Sequence, residues 1–455
     1  MKWVIILFLT VALFVRFYRL DESSHFAFDE SRDLVNMHQI WVEKKITLVG
    51  PISEDRSHAN SSLMYYMLLP FAVMFNFDPI GPVIGSVFWG ILTSGLMYLV
   101  LTRYNQNLKV QAAILAALWV PLVVTSRWAW NPNNLIFWVF LAIWFQDSTK
   151  WFLKVGAGIC MGLAFHHHNL AIIPIVLWLV HKRDLKLLTG VLISFLPFVI
   201  FDLRHPPGIF ISRMIDYNRD TVGQDPLFVL KKIPATFKYY FDYLFQNQII
   251  TWIGMILTLA LAMWDAYKRN SARIWLVIWI GCLLPLALFK NNYHYFLPGV
   301  PFFIIWVFIQ REQAGKTVSN ILLLLLSIGS IFSISQVWHA ADWEGNLKIV
   351  RGGTKIISEQ VRKQNLVNSN LAVLGSPDVY TNGNKYRNML LVENIRLKSY
   401  DEFSISDNLF VVTNSGEEVL RKDPAAEIMY FRNGPVFGKW EIGNTGWRVI
   451  QFNKY

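Results

Sequence analysis

The residues best suited to chemistry in this 455-residue chain lie in five short polar patches between long apolar stretches. The patches combine carboxylates, arginines and histidines, which are the side chains that transfer protons and bind anions. They occupy residues 28–33, 126–132, 166–169, 201–206 and 291–301. Each patch alone has an ordinary explanation, because adjacent carboxylates in a loop are often only solvated and arginine beside tryptophan is a common interfacial anchor.

The spacing of these residues argues against a metal centre. Successive side chains of the triplet His166-His167-His168 point about 100° apart on a helix, so all three cannot ligate one ion. The two cysteines, Cys160 and Cys282, lie inside apolar stretches, which supports neither a zinc cluster nor a disulfide framework. We therefore predict no metal ligands from the residues themselves.

The elements that must hold these patches follow from the composition. Hydrophobic residues make up 54% of the chain and charged residues 16%, whereas soluble globular chains have about 25% charged residues. The apolar residues form blocks of about 16–22, the length that crosses a hydrocarbon core of about 30 Å. The net charge of +11 is spread over the short connections between blocks, so it indicates membrane topology rather than nucleic-acid binding. The chain is therefore predicted to be a polytopic α-helical membrane protein.

Hydropathy and charge together predict about eleven spans and an orientation. Alternate connections carry lysine and arginine, as expected of cytoplasmic turns, which places the N-terminus in the cytoplasm and the loops 20–82 and 202–246 outside. Residues 61–77 could cross, but a crossing would reverse the charge rule for every later connection, so we expect them on or dipping into the outer surface. The predicted spans are 1–15, 83–102, 110–126, 130–145, 152–167, 169–180, 186–201, 247–266, 273–289, 294–310 and 318–335. All five polar patches then fall on the outer face, where charged groups tend to line a cavity or substrate path.

The chain changes character after residue 335. Apolar runs shorten to strand length, Gly, Asn and Asp mark turns between them, and one helical stretch covers about 352–366. The predicted strands are 371–374, 408–412, 427–431 and 447–452. We therefore divide the chain into a transmembrane domain, 1–335, and a small extracytoplasmic α/β domain, 336–455, which is expected to cap the outer face.

The ordered motifs resemble those of the integral-membrane (C-type fold) glycosyltransferases, in particular bacterial relatives of dolichyl-phosphate-mannose-protein mannosyltransferases and of aminoarabinose transferase. The similarity begins with Phe28-Asp29-Glu30, in the first outer loop after an N-terminal span. It continues in order to about residue 310, through Gly50-Pro51, LMYYMLLP at 63–70, SRWAWNPN at 126–133, GLAFHHHN at 162–169, PFVIFDLRHP at 197–206 and HYFLPGVP at 294–301. One departure is Asn131, where many members have a second acidic residue, which argues against a second carboxylate or a metal ligand at this place.

The resemblance implies an enzyme that moves a hexose or pentose from a polyprenyl-phosphate donor to a hydroxyl on the outer face, with inversion. It implies that Asp29 is the general base for the acceptor hydroxyl and that Glu30 orients the acceptor or the sugar. One carboxylate suffices, because a phosphate leaves without protonation, unlike the alcohol expelled in glycoside hydrolysis. The residues expected to bind donor phosphate or sugar are Arg127, His168, Arg204, His205, His294 and Tyr295.

The same resemblance implies a bacterial inner (plasma) membrane protein. Its expected partners are a polyprenyl-phosphate-linked sugar, a hydroxyl acceptor on protein, glycolipid or cell-wall glycan, and the lipid bilayer, with no nucleic acid. No cofactor is firmly implied, and a divalent metal stays open. Two other functions stay open as well: a transporter or flippase for lipid-linked sugars, which would not need Asp29 as a base, and an oligosaccharide polymerase with similar donors.

Overall fold

The computed structural model describes residues 2–52, 59–206, 208–210, 226–268, 272–284, 286, 292–310, 313–339, 345–374 and 383–454. Helices dominate the chain up to residue 333. In chain order they are α1 (Lys2–Phe17), α2 (Leu20–Ser23), α3 (Phe28–Glu43), α4 (Leu63–Met74), α5 (Ile80–Tyr104), α6 (Lys109–Leu118), α7 (Val120–Ser126), α8 (Leu135–Gln146), α9 (Trp151–His167), α10 (Ile172–Lys182), α11 (Leu185–Arg204), α12 (Pro226–Phe245), α13 (Gln248–Lys268), α14 (Arg273–Leu283), α15 (Val300–Ile309) and α16 (Gln313–Ser333). Two short strands, β1 (Val49–Ile52) and β2 (Ala59–Ser61), form an antiparallel pair.

Many of these helices have the apolar character of membrane spans. Among the described residues, five stretches are long and apolar enough to cross a bilayer, and shorter apolar helices accompany them. The five are Ile80–Tyr104, Gln106–Ser126, Leu185–Arg204, Gln248–Lys268 and Gly315–Trp338. The predicted, mostly helical architecture with apolar helices is thus confirmed, whereas the count of eleven spans and the domain boundary at residue 335 stay predictions.

The outer loop predicted at 202–246 contains a helix that the sequence reading missed. Helix α12 covers 20 residues of it and includes Pro234. Lys231, Lys232 and Lys238 interrupt its apolar residues, so no uninterrupted apolar block marks the helix. The segment 61–77 likewise contains a helix, α4, with Pro70 inside it.

The break between α6 and α7 is closed by a buried arginine. Pro121 has no N–H, so the carbonyl of Ala117, four residues earlier, lacks its helical donor. Arg16 of α1 supplies one, because its Nη1 donates to the Ala117 carbonyl at 2.9 Å. Its Nη2 donates to Ser94 Oγ at 2.8 Å, which ties α5 to the same point.

Helices α9 and α11 pack closely because glycines face each other. A side-chain carbon at Gly158 would lie 2.1 Å from the Leu187 carbonyl oxygen, and one at Gly190 would lie 2.0 Å from the Val155 carbonyl oxygen. Only glycine allows this approach. The approach in turn brings the C-terminal end of α9, where the histidine triplet lies, against α11.

The chain forms two compact units. The first contains Met1–Tyr18, Thr47–Met67 and Ser86–Val337, and the second contains Arg19–Ile46, Leu68–Gly85 and Trp338–Tyr455. The segment that carries Asp29 and Glu30 therefore belongs to the same unit as the C-terminal region.

The C-terminal part of the second unit is the expected α/β fold. Its helices are α17 (Leu347–Gln364), α18 (Asn384–Val392), α19 (Glu417–Lys422) and α20 (Ala426–Met429), and its strands are β3 (Ser369–Leu374), β4 (Asn408–Thr413), β5 (Val436–Glu441) and β6 (Arg448–Asn453). The sheet has the order β3-β4-β6-β5, in which β3 and β4 are parallel and the other pairs antiparallel. Leu409, Val411, Ile450 and Phe452 from its central strands are buried.

One predicted strand of this region is wrong. Residues 427–431 form the end of α20 and a turn, and the fourth strand is β5 instead. Ile428 and Phe431 are fully buried while Met429 and Tyr430 are exposed, which is the three-residue spacing of a helical turn rather than strand alternation. Strand β5 was missed because it lies at the sheet edge and carries Gly438, Lys439 and Glu441.

Candidate functional site

The first candidate element is the start of α3, whose first turn contains Asp29 and Glu30. The residue before this helix, Ala27, has no side chain that could cap the first N–H groups. Glu30 supplies the reciprocal half of a capping box, since its Oε2 accepts the Ala27 N–H at 2.7 Å. Carboxylates in the first turn also interact favourably with the helix dipole. The Phe-Asp-Glu sequence is therefore a helix start as well as a pair of carboxylates.

The two carboxylates of this turn have different surroundings. Glu30 is 3% exposed, and its Oε1 lies 3.1 Å from Nδ1 of His25. The Asp29 side chain is 42% exposed, and its Oδ1 forms an ion pair of 2.8 Å with Nη1 of Arg32. Arg32 also donates from Nε to Oδ1 of the buried Asp33 at 2.9 Å. Asp29 is thus the carboxylate that a substrate could reach, whereas Glu30 is held within the local fold.

The chain in front of α3 is fixed by the C-terminal region of the same unit. The Phe26 N–H donates to the Gly345 carbonyl at 2.8 Å, and the Leu347 N–H donates to the Ser24 carbonyl at 3.1 Å. These bonds pair 24–26 with 345–347 as a short antiparallel bridge. The pairing leaves only Ala27 and Phe28 before Asp29.

Side chains reinforce this pairing on both sides of the acidic turn. Glu22 lies 3.3 Å from Nζ of Lys348, and Asn388 of α18 donates to Ser31 Oγ at 3.0 Å. We call the contacts of residues 22–26 and Ser31 with residues 345–348 and Asn388 the terminal clamp. Through the terminal clamp, residues 345–348 and Asn388 fix the position of the turn that carries Asp29 and Glu30.

The second candidate element lies in the first unit, where three of the five polar patches meet. The ring of His294 lies 4.6 Å from Trp130 and 5.3 Å from His168, between ring centroids. Trp128 stacks on Trp130 at 4.5 Å with an angle of 10° between ring planes. Tyr293 lies 5.8 Å from Trp128, and Tyr295 lies 5.5 Å from His168. We call the six residues Trp128, Trp130, His168, Tyr293, His294 and Tyr295 the ring cluster.

The two histidines of the ring cluster differ in their hydrogen bonds. Nδ1 of His168 accepts the Leu170 N–H at 3.2 Å, so in the neutral ring the proton is on Nε2. His294 is 9% exposed, and its Nδ1 has no hydrogen-bond partner among the residues that the structure describes. Such a buried nitrogen costs about 1–3 kcal/mol unless water or a ligand bonds to it.

The other two histidines of the triplet have structural partners. His166 bonds through Nε2 to the Ser194 carbonyl and through Nδ1 to Ser61 Oγ, both at 2.8 Å. His167 bonds through Nδ1 to the Asn131 carbonyl at 2.8 Å, and its Nε2 accepts the Trp138 indole N–H at 3.1 Å. The three adjacent rings thus contact three separate sets of partners. Within the described ranges, no group of three or more His, Cys, Asp or Glu side chains is placed to hold a metal ion.

Arg127 lies between α7 and the ring cluster and caps a helix. It is 3% exposed, and its Nη1 donates to the carbonyls of Val15, Arg16 and Tyr18 at 3.2, 2.7 and 3.1 Å. Burial lowers the pKa of its guanidinium to about 10, which leaves it protonated at neutral pH. The two arginines therefore have reciprocal roles. Arg16 of α1 donates to a carbonyl at the end of α6, and Arg127, which follows α7, donates to carbonyls at the end of α1.

Arg204 and His205 lie exposed at the end of α11. The His205 ring stacks on Phe201 at 4.2 Å, and its Nδ1 lies 3.0 Å from the Phe201 carbonyl oxygen. No hydrogen bond, ion pair or ring contact among the described residues joins either of them to the ring cluster. Of the six predicted donor-binding residues, the structure thus brings together His168, His294 and Tyr295. Arg127 directly precedes Trp128 of the ring cluster in the chain.

Sequence reasoning missed Trp128, Trp130 and Tyr293 as site residues, because interfacial aromatics are common at the ends of spans. The Trp-Ala-Trp spacing beside an arginine was the available signal. Arg16 was also missed, and an arginine directly after the first apolar block was its signal.

No protein-family model matches the sequence. No curated protein matches it either. The structure, however, is similar to two solved structures of ArnT from Cupriavidus metallidurans. The similarity to ArnT bound to undecaprenyl phosphate has a TM-score of 0.59 at 12% identity and covers 99% of this chain and 98% of that chain. The similarity to the apo state has a TM-score of 0.60 at 11% identity, over 99% and 97%.

The structure is also similar to the oligosaccharyltransferase from Archaeoglobus fulgidus in complex with Zn and sulfate. The TM-score is 0.53 at 13% identity, over 96% of this chain and 72% of that chain. Identities this low show the fold alone. The chain therefore has the C-type fold of integral-membrane glycosyltransferases, as the resemblance of its motifs predicted.

Proposed function

We propose that the protein is a membrane glycosyltransferase that moves a sugar from a polyprenyl-phosphate donor to a hydroxyl acceptor on the outer face of the bilayer. The observation that carries this proposal is the accessible carboxylate of Asp29 at a helix start, in a chain with the fold of ArnT. Undecaprenyl phosphate, bound in the ArnT structure, belongs to the class of lipid that this reaction would release.

In the proposed reaction the Asp29 carboxylate accepts the proton of the acceptor hydroxyl while that oxygen attacks the anomeric carbon. The bond between the anomeric carbon and the phosphate oxygen breaks, and its electron pair leaves with the polyprenyl phosphate. This anion needs no proton from the enzyme, so a second carboxylic acid is unnecessary. A single displacement inverts the anomeric configuration.

The other residues have supporting parts in the proposal. Glu30 fixes the start of α3 through Ala27 and His25, and in this way it orients Asp29 toward the acceptor. His168, His294 and Tyr295 bind the donor within the ring cluster. Arg204 and His205, which are exposed at the end of α11, bind the lipid phosphate in this proposal. Arg127 positions the segment that carries Trp128 and Trp130.

We further propose a topology and a location. The alternation of basic connections supports a cytoplasmic N-terminus, about eleven spans and an extracytoplasmic region 336–455. The bacterial plasma membrane is the proposed location, and the acceptor is a hydroxyl of protein, glycolipid or cell-wall glycan.

The experiment uses the purified full chain in nanodiscs with a panel of polyprenyl-phosphate sugars and hydroxyl acceptors. Release of polyprenyl phosphate is measured for the wild type, for Asp29→Asn and for Glu43→Gln. The last is a matched control, because it removes a carboxylate at the far end of the same helix. Among the residues that the structure describes, Glu43 forms an ion pair only with the exposed Lys45.

Release by the wild type and by Glu43→Gln but not by Asp29→Asn is the expected result. Release that persists in Asp29→Asn would leave a transferase with a different base. Donor binding and movement across the bilayer without release, with every acceptor supplied, would instead establish a lipid-linked sugar transporter.

A further inference from the structure

The ring cluster supports an inference about the substrate that rests on the proposed glycosyl transfer. We propose that Trp128 and Trp130 form a stacking surface for the transferred sugar, and that this sugar is a pyranose. His294 and His168 bond to its hydroxyl groups.

The two indoles are held in a defined orientation. The backbone N–H of Trp130 donates to the Trp128 carbonyl at 2.8 Å, and the Asn133 side-chain amide donates to the same carbonyl at 2.8 Å. These bonds fix the tight Trp-Ala-Trp turn that stacks the rings at 4.5 Å. Both indoles are only half-buried, so part of each ring remains accessible. The result is a preformed aromatic surface rather than two independent anchors.

An indole face suits a pyranose for an electrostatic reason. Its π-system is negative on the face, and it attracts groups with positive edges. A pyranose chair directs several axial C–H bonds to one side and thereby presents a flat, weakly positive apolar face. A furanose ring is smaller and puckered, and its substituents interrupt such a face. The stacking surface therefore favours the six-membered form of the same sugar.

The polar groups around the indoles match the rim of a sugar. His294 contacts Trp130 edge-on at 4.6 Å, and its buried Nδ1 has no hydrogen-bond partner in the described part of the chain. The His168 ring lies 5.3 Å away with its proton on Nε2 in the neutral form. Aromatic surfaces with a few convergent polar groups are typical of small-molecule sites. An interfacial anchor does not require two histidines beside its tryptophans, so this pair of histidines favours a ligand site over an anchor.

The test measures equilibrium binding and transfer with pairs of polyprenyl-phosphate donors that differ only in ring form. Suitable pairs are galactopyranosyl with galactofuranosyl and arabinopyranosyl with arabinofuranosyl, together with glucosyl and mannosyl donors. We expect the wild type to bind a pyranosyl donor about tenfold more tightly than its furanosyl isomer, which corresponds to one decade in the dissociation constant.

Trp130→Ala should remove this preference and weaken pyranosyl binding about tenfold, whereas Trp130→Phe retains most of it. His294→Phe keeps the ring but not its nitrogens, and should raise KM several-fold with kcat unchanged. Trp151→Ala is the matched control. This tryptophan of the first unit is 63% exposed and contacts Phe152, so its loss tests the anchor role without touching the ring cluster.

The outcomes separate this inference from the proposed function. Pyranose-selective binding that depends on Trp130, without any transfer, keeps the sugar site and rejects the transferase. Transfer with equal affinity for both ring forms, or with affinity unchanged in Trp130→Ala, overturns the sugar site and keeps the transferase. A similar loss in Trp151→Ala, or no binding of any donor, also overturns it.

Discussion

The start of α3 and the ring cluster hold their functional groups by different physical means. At the start of α3, ion pairs and charged hydrogen bonds fix an acidic turn in which Asp29 is half exposed. In the ring cluster, ring packing and neutral hydrogen bonds fix the side chains, and His294 is buried. Under the proposed function, the first region transfers the proton and the second binds the donor. Substitutions should therefore affect kcat at the first and KM at the second.

The largest effect on kcat is expected when the two neighbouring carboxylates, Asp29 and Glu30, are replaced one at a time. Asp29→Asn should lower kcat by about 10²- to 10⁴-fold, the usual contribution of a general base. Glu30→Gln should lower kcat less than about tenfold, but it weakens the charged bonds to Ala27 and His25 by about 1 kcal/mol. Steady-state kinetics and thermal unfolding of both variants test the contrast. If Glu30→Gln loses as much activity as Asp29→Asn, the assignment of the base to Asp29 alone is wrong.

A stability effect is expected from Arg127→Met in the first unit. The change removes Nη1, which contacts three carbonyls at the end of α1. Because Nη1 has two hydrogens, at most two of these contacts are full hydrogen bonds, and a hydrogen bond from a charged donor contributes about 1.5–3 kcal/mol. The midpoint of thermal unfolding in detergent should fall clearly. Arg103→Met is the control, because Arg103 is 40% exposed and its loss should change the midpoint little. Equal midpoints for the two variants would contradict the helix-capping role.

A smaller effect is expected from Asn388→Ala in the terminal clamp. It removes one hydrogen bond to Ser31, which costs about 0.5–1.5 kcal/mol. Because Ser31 follows the acidic turn, kcat should fall several-fold while donor KM stays constant. Glu359→Ala, on the exposed side of α17, serves as the control in the same kinetic assay. A change in KM alone would mean that Asn388 acts on binding and not on the base.

The smallest effect concerns acid pH. Hydrogen bonds with Arg19 and Lys348 hold the pKa of Glu22 below its ordinary value of 4.5. A carboxyl whose pKa is lower in the folded state stabilises the fold fully above pH 4.5 and loses this contribution as the pH falls through the folded pKa. Lys348→Met should reduce this loss. Hydrogen exchange of the Phe26 and Leu347 amides, compared between neutral and acid pH, measures the loss of stability in the wild type and in Lys348→Met. The same acid dependence in both proteins would exclude Glu22 as the source of the loss.

Much of the fold and part of the site could be predicted from the sequence. Blocks of apolar residues determine helices in lipid, so the helical architecture and the C-type fold were predictable from composition and motif order. For the ring cluster, the sequence predicted only that its three polar patches lie on the same face of the membrane. It did not predict that they contact each other, because residue spacing does not determine which helices pack together.

The remaining features depend on contacts that a sequence does not show. Two adjacent carboxylates cannot be told apart from the sequence. Glu30 is buried and Asp29 is exposed because of where helix α3 begins. The carbonyls that accept from Arg127 lie more than a hundred residues away in the chain. The sequence alone therefore does not distinguish an arginine that binds phosphate from one that caps a helix. The strand misplaced at 427–431 shows the same limit, since a short apolar run fits either a strand or a helical turn.

The terminal clamp has a consequence for biosynthesis. A ribosome makes Asp29 long before Gly345, Leu347 and Asn388, which set the turn around it. A nascent or prematurely terminated chain can therefore contain Asp29 and still lack the contacts that support it. Under the proposed function, a chain therefore becomes competent for transfer only after residues 345–388 have been made, and shorter chains would not use the sugar donor.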